Sequence, residues 1–279
     1  MNIALLVSYA VQKEAHSIVE TIVDFLKKRN VTLFVEEEHS DTFGLNPMSS
    51  PNKQDLDFLI SLGGDGTILA YAHDHLESDI PILGINIGHL GFMADIPVSD
   101  IENSLEDLLN GEYVIEKRLI LKGTCKGQTH YAINDFVIHR ARNPSLVEMN
   151  IHVDGLYLNT FEADGMILAT PNGSTAYSLA AGGPILTPGL EAIVLTPISP
   201  HTISNRPLVL SSESKIEIKY QSHAEPIEVI SDGLARIELA TNETVTIERS
   251  NKNFKLVNLK RRDFYTTLRT KLAWSGKLR

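Results

Sequence analysis

The segment Phe58-Leu59-Ile60-Ser61-Leu62 runs without interruption into Gly63-Gly64-Asp65-Gly66-Thr67 and on into a helix-compatible stretch from Ile68. An apolar strand that empties into a glycine-rich turn and a helix is one βα unit of a parallel sheet. Strands of such sheets are covered on both faces and lose the polar alternation of exposed strands. The first hundred residues repeat the unit. Residues 3–8 form an apolar run ahead of Ile18, Val19, Ile22, Val23, Phe25 and Leu26, which recur at helical spacing. Further short runs at 31–35 and 82–85 end near Gly, Asn or acidic residues, as strands of such a sheet do. Residues 36–53, rich in Glu, Asp, Ser, Asn and Pro, are expected to form a long mobile surface loop, a candidate lid.

Ser99-Asp100-Ile101-Glu102 has the pattern of a capping box that opens a short helix, closed by Gly111. After it the periodicity changes. Short alternating segments at 149–153, 156–161, 215–219 and 245–248, separated by turns, imply a β-rich region from 113 to about 257. One helix is expected inside it, over 176–181 after Gly173-Ser174-Thr175, and another over 264–272. The expected division is an α/β domain over 1–98, a β-rich domain over 99–262 and a helical tail over 263–279, free to pack back on the first domain.

A chain of 279 residues that is 43% apolar is long enough for one large core or two modest ones. Its apolar runs stay short of the roughly 18 residues that a membrane span needs. The N-terminus carries no basic leader, so export is not expected. Cys125 is the one cysteine, which excludes an intrachain disulfide and a cysteine-based zinc site and suits a reducing, cytoplasmic setting. A formal net charge of -10 argues against a general nucleic-acid or anionic-membrane binder, which needs a positive field. Nucleotides stay open as ligands, because backbone N–H groups, a helix N-terminus and a magnesium ion hold a small anion whatever the sign of the whole chain.

The glycine loop after 58–62 stands where open parallel sheets bind ligands. Glycines let the backbone approach phosphate oxygens and the following helix N-terminus favours negative charge, so Gly63, Gly64, Gly66 and Thr67 are candidate phosphate contacts. A purely structural tight turn is the competing reading. G-x-x-x-x-G-K-[ST] and a strict G-x-G-x-x-G are both absent. Gly84-Ile85-Asn86-Ile87-Gly88-His89-Leu90-Gly91 is an approximate relative of the latter, and alone it reads as a structural glycine turn. A second cluster, Asp164-Gly165 and then Pro171-Asn172-Gly173-Ser174-Thr175-Ala176-Tyr177-Ser178-Leu179-Ala180-Ala181-Gly182-Gly183-Pro184, offers hydroxyls, N–H groups and an aromatic face to a ligand. An N-capped helix with a packed tyrosine explains it equally well. Asn134-Asp135 interrupts an apolar strand with two polar groups that need partners, either a hydroxyl-rich ribose or local backbone. His73, His75 and His89 lack the spacing of a metal set and read as surface or packed residues. Lys260-Arg261-Arg262 reads as a solvated face or an oligomer contact.

In this order, Gly63-Gly64-Asp65-Gly66-Thr67, Gly84-Ile85-Asn86 with Gly88-His89-Leu90-Gly91-Phe92, Asn134-Asp135, Asp164-Gly165, residues 171–184, and Thr196-Pro197-Ile198-Ser199-Pro200-His201-Thr202 with Arg206-Pro207-Leu208 strongly resemble the bacterial NAD kinase family. The resemblance spans nearly the whole chain. Its first motif is shared with diacylglycerol, sphingosine and 6-phosphofructokinase relatives, whereas the block Gly173 to Ser178 is far more specific. The resemblance implies a Rossmann-like N-terminal domain, a β-rich, β-sandwich-like C-terminal domain, NAD and ATP as substrates with the dinucleotide between the domains, and a homo-oligomer, dimer or tetramer. Position by position, Asp65 matches the family's catalytic aspartate. Asn134 and Asp135 stand where the family holds an Asn-Glu pair near the dinucleotide. Gly66, Asp164, Thr175, Ala176, Tyr177, Ser178, Leu179 and Ala180 match further substrate-contacting positions. Three departures stand out: Asp135 is one methylene shorter than the usual glutamate, Asn172 replaces a small hydroxyl residue, and Leu234 follows Ser231-Asp232-Gly233 where a polar residue is common. Asp232-Gly233 is also a strong hairpin-turn signal, as is Asp154-Gly155.

The implied reaction moves the γ-phosphoryl group of ATP to the 2′-hydroxyl of the adenosine ribose of NAD. A lipid or sugar kinase of the same superfamily and a non-catalytic dinucleotide sensor are the alternatives. The transition state of such transfers is loose, so positioning and charge neutralisation outweigh proton removal, and Asp65 is expected to align the hydroxyl and accept its proton late. Asp65→Asn is expected to fold normally and lose about 10² to 10⁴ in turnover. The divalent metal, Mg²⁺, is expected to ride mainly on the phosphates, with no dedicated protein ligand.

Overall fold

Five apolar residues in a row place β1 (Asn2–Val7) at the middle of a parallel sheet, with its side chains buried on both faces. The computed structural model describes residues 1–7, 12–50, 55–201, 205–222 and 225–274, with the backbone alone for 12–15. Ser8, Lys53, Thr202 and the last five residues of the tail, which fell within expected segments, lie outside the described residues. α1 (Gln12–Lys27) buries Val19, Ile22, Val23 and Leu26, the i, i+3, i+4, i+7 stripe seen in the sequence. Each contributes roughly 1.5–3 kcal/mol on burial. β2 (Thr32–Val35) runs parallel to β1, from Asn2↔Thr32 to Leu5↔Val35.

The acidic stretch after β2 is more than a bare loop. A 3-10 turn (Glu37–His39) leads to α2 (Ser40–Phe43), which ends at left-handed Gly44, φ +59, and then to β3 (Asn46–Pro47) on the edge beside β2. Buried His39, Leu45 and Met48 anchor the segment, so the expected mobile loop over 36–53 is structured through Ser50. β4 (Phe58–Gly63) pairs with the other side of β1, from Ile3↔Phe58 to Val7↔Leu62. α3 (Asp65–Asp74) follows, then β5 (Ile82–Asn86) beside β4 and β6 (Ala94–Pro97) beside β5. α4 (Ile101–Asn110) buries Ile101, Leu105 and Leu108 in the core that α1 also enters, and ends at Gly111, φ +76. Its N-cap is Asp100, whose carboxylate bonds Asn103 and Arg262 instead of closing the expected capping box.

β7 (Tyr113–Cys125) carries the chain onward. The two compact units are Met1–Lys117 with Phe254–Arg279, and Arg118–Asn253, so the divisions fall at 117/118 and 253/254 instead of 98/99 and 262/263. The apolar face of α4 is the reason for the first shift, because it belongs to the first core. A turn with Lys126 at φ +51 and Gly127 at φ +74 joins β7 to β8 (Gln128–Ala132). β9 (Asp135–His139), β10 (Val147–Val153), β11 (Leu156–Ala163), β12 (Gly165–Ala169), the one-turn α5 (Tyr177–Ala180), β13 (Ala192–Ile198), β14 (Leu208–Ser211), β15 (Ile216–Tyr220), β16 (Ile227–Ser231), β17 (Ala235–Leu239) and β18 (Thr244–Leu259) complete the second unit. Strands β14-β13-β12-β9-β16-β17 form an antiparallel sheet, and β11-β10-β15-β18 lie side by side in another. Phe136, Ile138, Leu168 and Leu195 from the first share one core with Met149, Ile151, Phe161 and Val245 from the second, the packing of a β-sandwich.

β18 is far longer than the expected 245–248, and its far end returns to the first unit at Leu256↔Ile82. α6 (Phe264–Lys271) follows, its N-terminus capped by the Asp263 carboxylate, which accepts the Thr266 N–H at 2.9 Å. The basic run before it is ion-paired within its own unit, with Lys260 and Arg261 still partly open to solvent. Lys260 pairs with Glu112, Arg261 with Asp107, and Arg262 with Asp100 at 2.6 Å, which ties the tail to the ends of α4. No described helix is long and apolar enough to cross a membrane.

Candidate functional site

Gly63 ends β4, Gly64 is the N-cap of α3, and Asp65, Gly66 and Thr67 form its first turn. Among the described residues, a Cβ at Gly64 or Gly66 would meet nothing within 4 Å, so no described contact requires glycine there. Open backbone at the positive end of a helix is what a phosphate group needs, and it favours the anion-site reading over the tight turn.

Asp65 does not project freely. Its Oδ1 accepts the N–H groups of Met93 and Ala94 at 2.9 and 2.8 Å, and its Oδ2 accepts that of Phe92 at 2.8 Å. A carboxylate offers about four acceptor positions, so among the described residues one remains, on Oδ2. The glycines at 84–91 explain themselves around this carboxylate. A Cβ at Gly91 would lie 2.0 Å from Asp65 Oδ1, and one at Gly84 would lie 2.5 Å from the Met93 carbonyl. Asn86 closes the loop: its Oδ1 accepts the Gly88 N–H at 2.8 Å and its Nδ2 donates to the carbonyls of His89 and Ala94. The approximate glycine motif therefore builds the seat of Asp65. Burial pushes the adjacent Asp95 carboxyl up to about 6, against the pull of the Arg262 guanidinium and with the Asp65 charge adding to the rise.

In the second unit a cleft of about 380 Å³ is lined by Asn134, Asp135, Ala176, Tyr177, Asp232 and Gly233, with Val137, His139 and Ile230. Its floor rests on a second carboxylate that gathers three successive N–H groups. Asp232 Oδ2 accepts Ile133 N–H at 2.7 Å, and its Oδ1 accepts Asn134 and Asp135 N–H at 2.8 and 2.9 Å. Asp232 and Gly233 have φ of +46 and +74 and turn the β16–β17 hairpin, as the dipeptide signals, while the Asp232 carboxylate also clamps the loop ahead of β9. Burial, and then repulsion from Asp232, push the Asp135 carboxyl up to about 7.

Of the remaining expected contacts, Ala176 and Tyr177 line this cleft, and Asp164, Thr175 and Ser178 do not. Tyr177 is 45% exposed, an open aromatic face. Thr175 donates its hydroxyl to the Asn172 carbonyl at 3.0 Å, and Asp164 is ion-paired with Arg140 Nε at 2.8 Å. Ser178 is fully buried, with its hydroxyl on Thr196, and a Cβ at Gly183 would collide with both hydroxyls. Leu179 and Ala180 continue α5 and are not among the cleft residues. A Cβ at Gly173 would lie 2.0 Å from the Asn134 carbonyl, so this glycine lets the 171–175 turn press onto the cleft floor.

The chain matches two family models, the ATP-NAD kinase N-terminal domain over residues 4–113 and the ATP-NAD kinase C-terminal domain over 133–259. It belongs to the ATP-NAD kinase family. The NAD kinase of Protochlamydia amoebophila is 54% identical over 260 residues, 92% of this chain and 93% of the relative. That of Citrifermentans bemidjiense is 37% identical over 274 residues, 94% of this chain and 95% of the relative. Among solved structures, yeast NADH kinase complexed with NADH has a TM-score of 0.85 at 26% identity, covering 100% of this chain and 89% of that one. An NAD kinase from Archaeoglobus fulgidus in complex with ATP has a TM-score of 0.78 at 26% identity, covering 99% and 100%. Within this ATP-NAD kinase the cleft also includes Val137, His139, Ile230, Asp232 and Gly233, none of them among the expected site residues. Strand alternation over 135–139 puts Val137 and His139 on the face of Asp135, a signal that was present in the sequence.

Proposed function

We propose that the chain catalyses ATP-dependent phosphorylation of NAD to NADP, with Asp65 as the group that meets the acceptor hydroxyl. The carrying observation is the Asp65 carboxylate, fixed by three N–H donors and left with one acceptor position on Oδ2. That position receives the proton of the 2′-hydroxyl and aligns its oxygen on the γ-phosphorus. Because the transition state is loose, the proton moves late and orientation supplies most of the effect. The phosphates lie against the backbone at Gly63, Gly64, Gly66 and Thr67. The nucleoside enters the cleft of Asn134, Asp135, Ala176 and Tyr177, with Tyr177 as an aromatic platform.

A divalent ion such as Mg²⁺, when bound, would supply charge neutralisation at the phosphates. Among the described residues the one group of metal-ligating side chains close enough to hold an ion is Glu36, Glu38 and His39, which includes no proposed substrate residue, so no protein cage is assigned to this ion. A cytoplasmic setting and a homo-oligomer, dimer or tetramer, belong to the same proposal. Leu156, Tyr157 and Leu158 on edge strand β11 and Leu208 and Val209 on edge strand β14 present apolar side chains to solvent, surfaces suited to a second copy. Sedimentation at micromolar concentration tests this, and a monomer would refute it.

The test of activity is NADP formation with Mg²⁺ and either ATP or polyphosphate, with NAD, NADH, diacylglycerol and fructose 6-phosphate offered separately as acceptors. ATP-dependent NADP formation is expected. Turnover of lipid or sugar but not dinucleotide, or NAD binding without turnover, would overturn the assignment.

A further inference from the structure

We infer that Asn172, oriented by Arg118, fixes the face that the Asn134 carboxamide turns to the nucleoside, so that the cleft presents a hydrogen-bond donor there. The inference rests on the NAD kinase reading and concerns this chain's own departure from it, an asparagine where a small hydroxyl is usual.

Arg118 is 6% exposed and its Nη1 donates to Asn172 Oδ1 at 3.0 Å. A guanidinium is donor-only, so it decides which end of the Asn172 amide faces it. The other end follows. Asn172, 8% exposed, donates Nδ2 to Asn134 Oδ1 at 2.6 Å. The Asn134 oxygen is therefore engaged from behind, and its NH₂ group is directed away from Asn172. Asn134 lines the cleft, which makes that NH₂ the group offered to an acceptor of adenosine, a ring nitrogen or a ribose oxygen. A hydroxyl at 172 would not impose this polarity, because it donates and accepts equally well. Gly173 holds the arrangement in register, since the 171–175 turn lies directly on the Asn134 backbone. Asn172 is a positioning residue: it acts through Asn134.

Reversal of the relay is the test. In Asn172→Asp the carboxylate still accepts from Arg118, so the fold keeps its buried partner, but it now accepts from Asn134 as well and turns the Asn134 oxygen toward the cleft. NADP formation by the wild type is measured first, and its absence would count against the NAD kinase reading itself. With an active wild type, Asn172→Asp is expected to raise KM for NAD about tenfold, the effect of one misoriented hydrogen bond, with kcat, KM for ATP and Tm near wild type. Asn172→Ser, which can still donate to Asn134, is expected to raise KM for NAD less. In an Asn134→Ala background the Asn172→Asp change is expected to have no further effect on KM, because the relay has lost its end. An unchanged KM in Asn172→Asp, equal increases in the Asp and Ser variants, or the same increase in the Asn134→Ala background would each overturn the inference. Should Asn172→Asp fail to fold, the Ser variant with and without Asn134→Ala decides alone: coupled effects support the relay and additive ones refute it.

Discussion

Replacing Asp135 with asparagine isolates the charge of a buried carboxyl without changing its size. Asp135 is 5% exposed, and burial followed by the neighbouring Asp232 pushes it from 3.8 up to about 7. A carboxyl raised in the folded state opposes folding once it must ionise. Below about pH 4 both states are protonated and the penalty is absent. Between about 4 and 7 the unfolded chain ionises first, so stability falls steadily, and above 7 the loss is complete. At about 1.4 kcal/mol per pH unit, the penalty grows by on the order of 2–3 kcal/mol between pH 5 and pH 8. The amide of the Asp135→Asn variant does not titrate and carries no such dependence. The Tm of Asp135→Asn relative to wild type is therefore expected to rise between pH 5 and pH 8 by about 4–8 °C, at ~2 °C or more per kcal/mol for a chain of this size. The burial of an amide in place of the acid shifts both pH values equally and leaves the difference intact. Thermal melts at the two pH values measure it directly, alongside KM for NAD, which is expected to rise because an anionic acceptor is lost from the cleft. A difference between variants that is flat in pH, or that shrinks toward pH 8, would refute the reasoning.

Asp65→Asn is expected to lower kcat by about 10² to 10⁴, but it also sets an NH₂ group against at least one of the three backbone donors, so its Tm is expected to fall by a few degrees; wild-type turnover would remove Asp65 from the chemistry. Gly91→Ala places a methyl group 2.0 Å from the Asp65 Oδ1, and is expected to lower kcat strongly although residue 91 carries no reactive group; normal kcat would show that the seat of Asp65 is not needed. Asp232→Ala leaves the N–H groups of residues 133–135 without their acceptor and is expected to destabilise by about 2–4 kcal/mol in denaturant titration; a loss below about 1 kcal/mol would mean that water replaces the carboxylate at little cost.

Periodicity made the parallel sheet legible, because strands buried on both faces write themselves as unbroken apolar runs. The helical stripe of α1 and the tail helix were equally plain. What stayed hidden depended on contacts distant in sequence. The 36–50 segment reads as polar loop, yet three buried side chains fold it into short elements. The domain boundary was placed where periodicity changes, but the face of α4 packs onto α1, a fact that lies in three dimensions. Strand β18 was visible only in part, since its polar, half-buried middle lacks clean apolar alternation. In the site, Asp65, Asn134, Asp135 and Tyr177 carried local signals. The Gly84 to Gly91 motif read as a mere turn, and its purpose becomes visible only once Asp65 is seen inside it.

The aspartates of two Asp-Gly pairs, Asp65 and Asp232, do the same structural work in separate units: each carboxylate collects three successive backbone N–H groups from a distant loop. Buried N–H groups in an irregular loop must find acceptors, and one carboxylate that serves three of them fixes the loop more tightly than three separate partners would. The two differ in what surrounds them. Asp65 stands at a helix N-terminus between Gly64 and Gly66, where a Cβ would meet no described atom within 4 Å. Asp232 sits on a hairpin turn beside a second carboxyl, which it pushes upward. On the proposed reading, the same side-chain geometry serves a hydroxyl acceptor beside the phosphates in one unit, and a rigid support under the nucleoside cleft in the other. Loss of activity on mutating either aspartate would look alike in a turnover assay. Stability and KM separate them: Asp232→Ala should fail chiefly in folding and nucleoside affinity, whereas Gly91→Ala should fail in kcat with the nucleoside cleft intact.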